Sequence, residues 1–281
     1  MHSVSGRLIH GTSSWSEKAW EGVFYPAGLP AAERLRHYAT QFHSVEADVT
    51  YYRVPERRTV SAWAARTPDD FVISAKFPRS VVHGGDGAQP DGERVLVHEH
   101  VAADLERFLD TMALLGPKCG PLVLQFPYFN RSAFASVEPF RERLDTFLGR
   151  LPSGFRYAVE LRNKTWIDRP MLELLSRHRC ALALVDLVYM PHPAELAERF
   201  DLVTTDFAYA RLIGDRKHID SLTDRLDHVV LDQSERLARW SVLVRELLNR
   251  VREVYVYANN HYAGYAPDTI RDLAARVEAP S

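Results

Sequence analysis

Cysteine is scarce in this chain. Two occur in 281 residues, Cys119 and Cys180, far apart, in apolar surroundings and outside any CxxC pair. That excludes a disulfide framework and a thiolate metal site, and leads us to expect two free thiols in a reducing, cytoplasmic setting. Net charge is nearly absent as well. The 35 Lys and Arg against 37 Asp and Glu leave a formal charge of −2, so no general attraction to nucleic acid or to an anionic membrane follows. No apolar run approaches the roughly 18 residues that a bilayer span needs, which argues against a membrane partner. Residues 1–7 lack a long apolar stretch, so no signal peptide is expected. HExxH, P-loop and GxSxG motifs are all missing, which removes the most legible hydrolase and nucleotide signatures.

What is present is a series of short apolar segments, most ending in polar or charged residues. They lie at 9–15, 45–52, 72–76, 122–126, 157–162, 182–186, 209–213 and 254–260. Stretches of helical periodicity separate most of them. At 98–116, Val101, Leu105, Phe108, Leu109, Met112 and Leu115 form one apolar stripe, and 233–250 does the same. Connections from helix to strand are short, whereas several from strand to helix are long. Eight such units in 281 residues predict one α/β domain over 1–281, a single (β/α)8 TIM barrel with long βα loops at its C-terminal face. An open doubly wound sheet is the other arrangement. It would carry a glycine-rich phosphate turn after the first strand, but that turn reads Gly11-Thr12-Ser13-Ser14-Trp15, with a single glycine.

Several of these segments together resemble a known family. They include Gly11-Thr12-Ser13-Ser14-Trp15, Phe24-Tyr25-Pro26, Val45-Glu46 through Thr50-Tyr51-Tyr52, and Lys76 with Pro78-Arg79. Gln125-Phe126-Pro127, Glu160-Leu161-Arg162 with Trp166, and Asn259-Asn260-His261-Tyr262-Ala263-Gly264 complete the set, which spans nearly the whole chain in order. This pattern is similar to that of the domain of unknown function 72 family, also called YecE-like. The resemblance implies a TIM barrel and brings no established activity with it. Two positions depart from the family pattern. Asp48 stands where Asn is usual, adding negative charge, and Ile213 stands where His often follows the seventh strand, removing a candidate ligand or acid–base group.

In a barrel the working residues sit at the C-terminal strand ends. Side chains alternate along a strand, so Glu160 and Arg162 share a face, as do Ser74 and Lys76, and Glu46, Asp48, Thr50 and Tyr52. Glu160, Asp186 and Glu46 are the candidate acid–base carboxylates. Lys76, Arg79, Arg162 and Arg211 are candidates to clamp a phosphate or carboxylate, with Arg suited to bidentate contact. Trp15, Tyr52, Trp166 and Tyr257 offer stacking surfaces, and Gln125, Asn259 and Asn260 offer donors and acceptors. The competing reading is that these groups only satisfy one another, as buried charges normally do. Of the 12 histidines, His83 and His261 are best placed for a metal, which is too few for a ligand set of histidines; carboxylates alone are able to hold Mg²⁺ or Mn²⁺. The residues thus point to an enzyme, a hydrolase or a lyase/isomerase, acting on a small anionic sugar or nucleotide. A nucleic-acid-processing barrel and a non-catalytic ligand-binding protein are the alternatives. The sequence does not set the oligomeric state.

Overall fold

The structure, a computed structural model, describes residues 6–85, 87 and 89–279. Residues 1–5, where the signal-peptide expectation falls, and Asp86 of the glycine-rich loop lie outside them. Eight parallel strands run in the order β1-β8-β7-β6-β5-β4-β3-β2. They are β1 (Arg7–Thr12), β2 (Ser44–Ala47), β3 (Val72–Lys76), β4 (Cys119–Gln125), β5 (Tyr157–Glu160), β6 (Ala181–Leu187), β7 (Phe207–Gly214) and β8 (Glu253–Ala258). The helices are α1 (Ala31–Tyr38), α2 (Arg57–Ala65), α3 (Arg79–Val82), α4 (His98–Met112), α5 (Val137–Leu148), α6 (Arg169–Arg177), α7 (Pro193–Ala197), α8 (Arg216–Leu222), α9 (Ser234–Leu248) and α10 (Ala266–Glu278). This is the (β/α)8 barrel that the alternation predicts, nearly closed.

The apolar stripes become the inner faces of the outer helices. Val101, Phe108, Leu109 and Met112 are buried on α4, and Leu237, Trp240, Val244 and Leu248 on α9. Asp168 caps α6 by accepting from the Met171 amide, and Pro170 occupies its first turn, so that helix starts where its sequence says it should. Cys119 and Cys180 are free. Burial pushes both thiols up to about 12, which makes them poor nucleophiles. No helix among the described residues is long and apolar enough to cross a membrane.

Two local features depart from a regular barrel. No ladder joins β1 to β2. Instead the Tyr38 hydroxyl at the end of α1 enters the seam. It accepts from the Thr12 amide at 2.9 Å and donates to the Ser44 carbonyl at 3.1 Å. The two backbones approach so closely that a Cβ on Gly11 would lie 2.0 Å from the Ser44 carbonyl oxygen, which explains a glycine inside a strand. The second feature is the early end of β2. Its apolar and polar residues run on to Tyr52, but the chain turns into a 3-10 helix over Asp48–Tyr51. Thr50 drives the turn: its hydroxyl accepts from the Lys76 amide and shares its one proton between the Ala47 and Lys76 carbonyls, all at 2.8–2.9 Å. One side chain thus completes the edge of β3 that β2 abandons.

Candidate active site at the barrel mouth

Register sets which side chains enter the barrel. Glu46 of β2 is paired with Ser74 of β3, Gln125 of β4 with Glu160 of β5, and Arg211 of β7 with Tyr257 of β8, and these point inward. The lower interior is filled by tyrosines. The Tyr257 hydroxyl meets Ser44 Oγ at 2.6 Å and Ser74 Oγ at 3.0 Å. Above that layer lies a network of ions.

Arg211 is its centre and is almost wholly buried. Its Nη1 donates to Glu160 Oε2 at 2.5 Å and to Gln125 Oε1 at 2.8 Å. Its Nε and Nη2 donate to Glu46 Oε1 at 3.1 and 2.8 Å, and Tyr209 donates to Glu46 Oε2 at 2.7 Å. Arg162 reaches Glu160 Oε1 with Nε at 2.9 Å and Nη2 at 2.8 Å. Lys76 Nζ lies 2.5 Å from Asp48 Oδ1, and Arg211 Nη2 lies 3.5 Å from the same oxygen. Three carboxylates thus meet three cations, and the formal charge of the six sums to zero.

The carboxylates differ in exposure and in the cations that hold them. Glu46 and Glu160 have no side-chain exposure, whereas Asp48 keeps 28% and Arg162 21%. Burial alone would raise the Glu46 pKa, but Arg211, Lys76 and the Tyr209 hydroxyl outweigh it and hold it at about 2. In Glu160 burial is likewise overcome, by Arg211, Arg162 and Lys76, so its pKa is lowered. Asp48 goes the other way. Burial, aided by the Glu46 charge, outweighs Lys76 and Arg211 and lifts its pKa to about 6. Glu46 and Glu160 are therefore fixed anions that aim Arg211 and Arg162. Asp48 is the carboxylate able to exchange a proton near neutrality.

The expected residues divide cleanly. Glu46, Glu160, Lys76, Gln125, Arg162 and Arg211 converge. Asp186 does not, and its place at the mouth is corrected: its neighbour Val185 pairs with the inward Arg211, so Asp186 faces the outer helices. There it accepts from Trp240 Nε1 at 2.8 Å, from the Tyr262 hydroxyl at 2.9 Å and from Arg236, with His192 Nε2 at 3.6 Å. It pins α9 and the turn after β8 to β6. Trp166 is also buried away from the mouth, stacked on Phe129 and 4.9 Å from Phe140. Tyr257 is covered by the ions above it. The turn over Asp48–Tyr51 throws Tyr52 outward, to 69% exposure. Tyr51 takes the position near the charges of Arg79, Arg162 and Glu160.

Trp15 packs edge-on against Trp63. Arg79 donates to the Gly87 carbonyl. Asn259 Oδ1 accepts from the His261 amide and Asn260 Oδ1 from the Ala266 amide, so both side chains cap the turns that follow β8. His83 and His261 stay apart, His261 beside Asp220 at 3.3 Å. Among the described residues no group of three or more His, Cys, Asp or Glu is arranged to hold a metal ion.

Sequence reasoning missed Asp48 as an acid–base group, although it lies two residues beyond Glu46 on the same face. It missed Tyr209, two residues before Arg211, for want of the same step. Tyr51 had no signal in the alternation, because the turn that points it inward depends on Thr50 meeting β3. Asn163 was missed too. It clamps the loop after β4, accepting from the Phe129 amide at 2.9 Å and donating to the Phe129 carbonyl at 2.8 Å, which fixes the backbone beside Arg162. Of the large apolar and aromatic side chains left exposed among the described residues, Tyr52, Tyr128, Val188 and Tyr189 are on loops that follow strands, whereas Val49 lies in the 3-10 turn, Leu222 ends α8 and Val242 is on α9.

Comparison with known proteins agrees with this architecture. A DUF72 family protein from Thermotoga maritima superposes with a TM-score of 0.68 at 26% identity, over 97% of this chain and 99% of that one. One from Enterococcus faecalis has the same TM-score at 19% identity, over 98% and 97%. UPF0759 protein YecE of Escherichia coli K12 is 30% identical over 153 residues, which are 54% of this chain and 47% of that protein. The match thus spans about half the length of that curated relative. The family described as "Protein of unknown function DUF72" matches residues 9–281, and the chain belongs to that family.

Proposed function

We propose that this barrel is a cytoplasmic enzyme that binds a small anionic substrate, a phosphorylated or carboxylated sugar or nucleotide, and acts on it by acid–base chemistry. One observation carries the reading. A partly exposed carboxylate, Asp48, sits 2.5 Å from Lys76 Nζ, with its pKa lifted to about 6, in a mouth that also presents Arg162. Arg162, oriented by Glu160, is the anion clamp. The Asp48–Lys76 pair takes up or delivers the proton. Arg211, held by Glu46 and Glu160, supplies fixed positive charge that would offset negative charge developing on the substrate. Tyr51 and the exposed tyrosines of the rim suit a sugar or base ring. The two free, unreactive thiols fit a reducing compartment.

A thermal-shift screen against phosphorylated sugars, nucleotides, sugar acids and an oligonucleotide, each with and without Mg²⁺ or Mn²⁺, tests the reading. A ligand of the native state raises the melting temperature by mass action. We expect a small anion to do so and Arg162→Ala to abolish the shift. Asp48→Asn should keep binding and lose turnover of the same compound. No shift with any small anion would end the proposal, and a shift with the oligonucleotide alone would move it to a nucleic-acid substrate.

A further inference from the structure

We propose that the substrate carries a second anionic group, received by the groove between the loops that follow β5 and β6. The inference rests on the mouth being an anion site and extends it to a ligand class: a nucleotide with two separated phosphates.

The groove has a volume of about 840 Å³, within the range of small-molecule sites. Lys164 comes from the loop after β5, Val188, Tyr189 and Met190 from the loop after β6, and Arg199 and Phe200 from beyond α7. Lys164 and Arg199 form no ion pair among the described residues, whereas Lys76, Arg162 and Arg211 of the mouth each have a carboxylate partner. The Arg199 guanidinium lies 5.1 Å from the centre of the Phe200 ring. That contact holds it against the wall while its in-plane N–H groups stay free to donate. Asp168 also lines the groove, but Arg141 at 2.8 Å and the Met171 amide at 2.9 Å already engage it. The groove therefore presents positive charge to whatever enters.

Position joins it to the mouth. Lys164 follows Arg162 by two residues, and Tyr189 lies close to Arg162. Val188 and Tyr189 are exposed, an apolar ledge between the two sets of cations. A phosphate at Arg162, a ribose over Tyr189 and a second phosphate of that ribose at Lys164 and Arg199 match that order. A monophosphate would fill only the first position.

Isothermal titration of the intact chain with adenosine 3′,5′-bisphosphate, adenosine 5′-monophosphate and inorganic phosphate tests this. The bisphosphate should bind the wild type at least about tenfold tighter than the monophosphate, the size of one added charge-assisted contact. In the Lys164→Gln, Arg199→Gln double variant the bisphosphate should weaken to the monophosphate's affinity, with monophosphate binding unchanged. Arg162→Ala should weaken both nucleotides. Equal affinities in the wild type, or an advantage that survives the double variant, would overturn the groove while leaving the mouth as an anion site. If neither nucleotide binds, this ligand class is wrong, and binding of inorganic phosphate or its absence then decides whether the mouth takes anions at all.

Discussion

Asp48 and Glu46 sit two residues apart and titrate in opposite directions. The cause is their partners, not residue type. Arg211 grips Glu46 directly with two nitrogens and holds it near 2, whereas Asp48 is grazed by Arg211 at 3.5 Å and shares the repulsion of Glu46. The signs of their linkage to folding differ accordingly. Glu46 contributes stability that is present above its ordinary range and is lost as pH falls through about 2. The fold favours protonated Asp48, so its contribution is full below an ordinary value of 3.8 and is lost as pH rises through about 6. Asp48→Asn, an uncharged isostere, should thus gain stability relative to wild type as pH rises from 4 to 8. Urea denaturation at both pH values checks this; a difference between variant and wild type that is the same at both would contradict it. The same substitution recreates the asparagine that the resemblance leads one to expect there. The acid–base role proposed for Asp48 therefore rests on a residue that departs from the family pattern.

Among the elements, the β1–β2 seam is where the barrel is weakest in backbone bonds and most dependent on one side chain. Tyr38→Phe keeps the buried ring and removes the hydroxyl that serves the Thr12 amide and hydroxyl and the Ser44 carbonyl. The Thr12 hydroxyl keeps the Ser14 carbonyl, but loss of this partner from the Thr12 amide and the Ser44 carbonyl should cost about 1–3 kcal/mol, and hydrogen exchange at the Thr12 amide should quicken. Unchanged exchange there would mean that the seam is held by something other than the hydroxyl. The seam also shows why strand ends are hard to read. The alternation in 45–52 is real, yet Thr50 finds better partners on β3 than the next step of a ladder would provide. That choice brings Tyr51 to the charges and sends Tyr52 to solvent. β6 shows the opposite difficulty. Both of its faces are covered, so Ala181–Leu187 is buried throughout. Its run is apolar without alternation, and nothing in it tells which way Asp186 points. In β7 the pattern Ala208-Tyr209-Ala210-Arg211 alternates in size, and Arg211 was correctly aimed.

At the scale of the whole molecule, buried charge does two separate jobs. The mouth network gathers charged side chains from β2, β3, β5 and β7 and the turns beyond them. The Asp186 cluster ties the barrel wall to α9 and to the turn after β8. Removing Asp186 leaves the Trp240, Tyr262 and Arg236 donors without their acceptor in a buried place. Asp186→Ala should therefore destabilise the protein by at least about 2 kcal/mol, while the affinity of the mouth for any ligand found there stays as in the wild type. Loss of that affinity in a folded Asp186→Ala protein would return Asp186 to the site. The eight-strand alternation, the apolar helix stripes and the placing of polar groups at strand ends follow from the sequence alone, because periodicity and turn chemistry are local. The direction of each strand-end side chain, the partners that separate Asp48 from Glu46, and the pairing that turns Glu46 and Glu160 into fixed anions were decided only by the tertiary structure. They depend on contacts between residues up to 165 positions apart, whose register and distance no local pattern encodes.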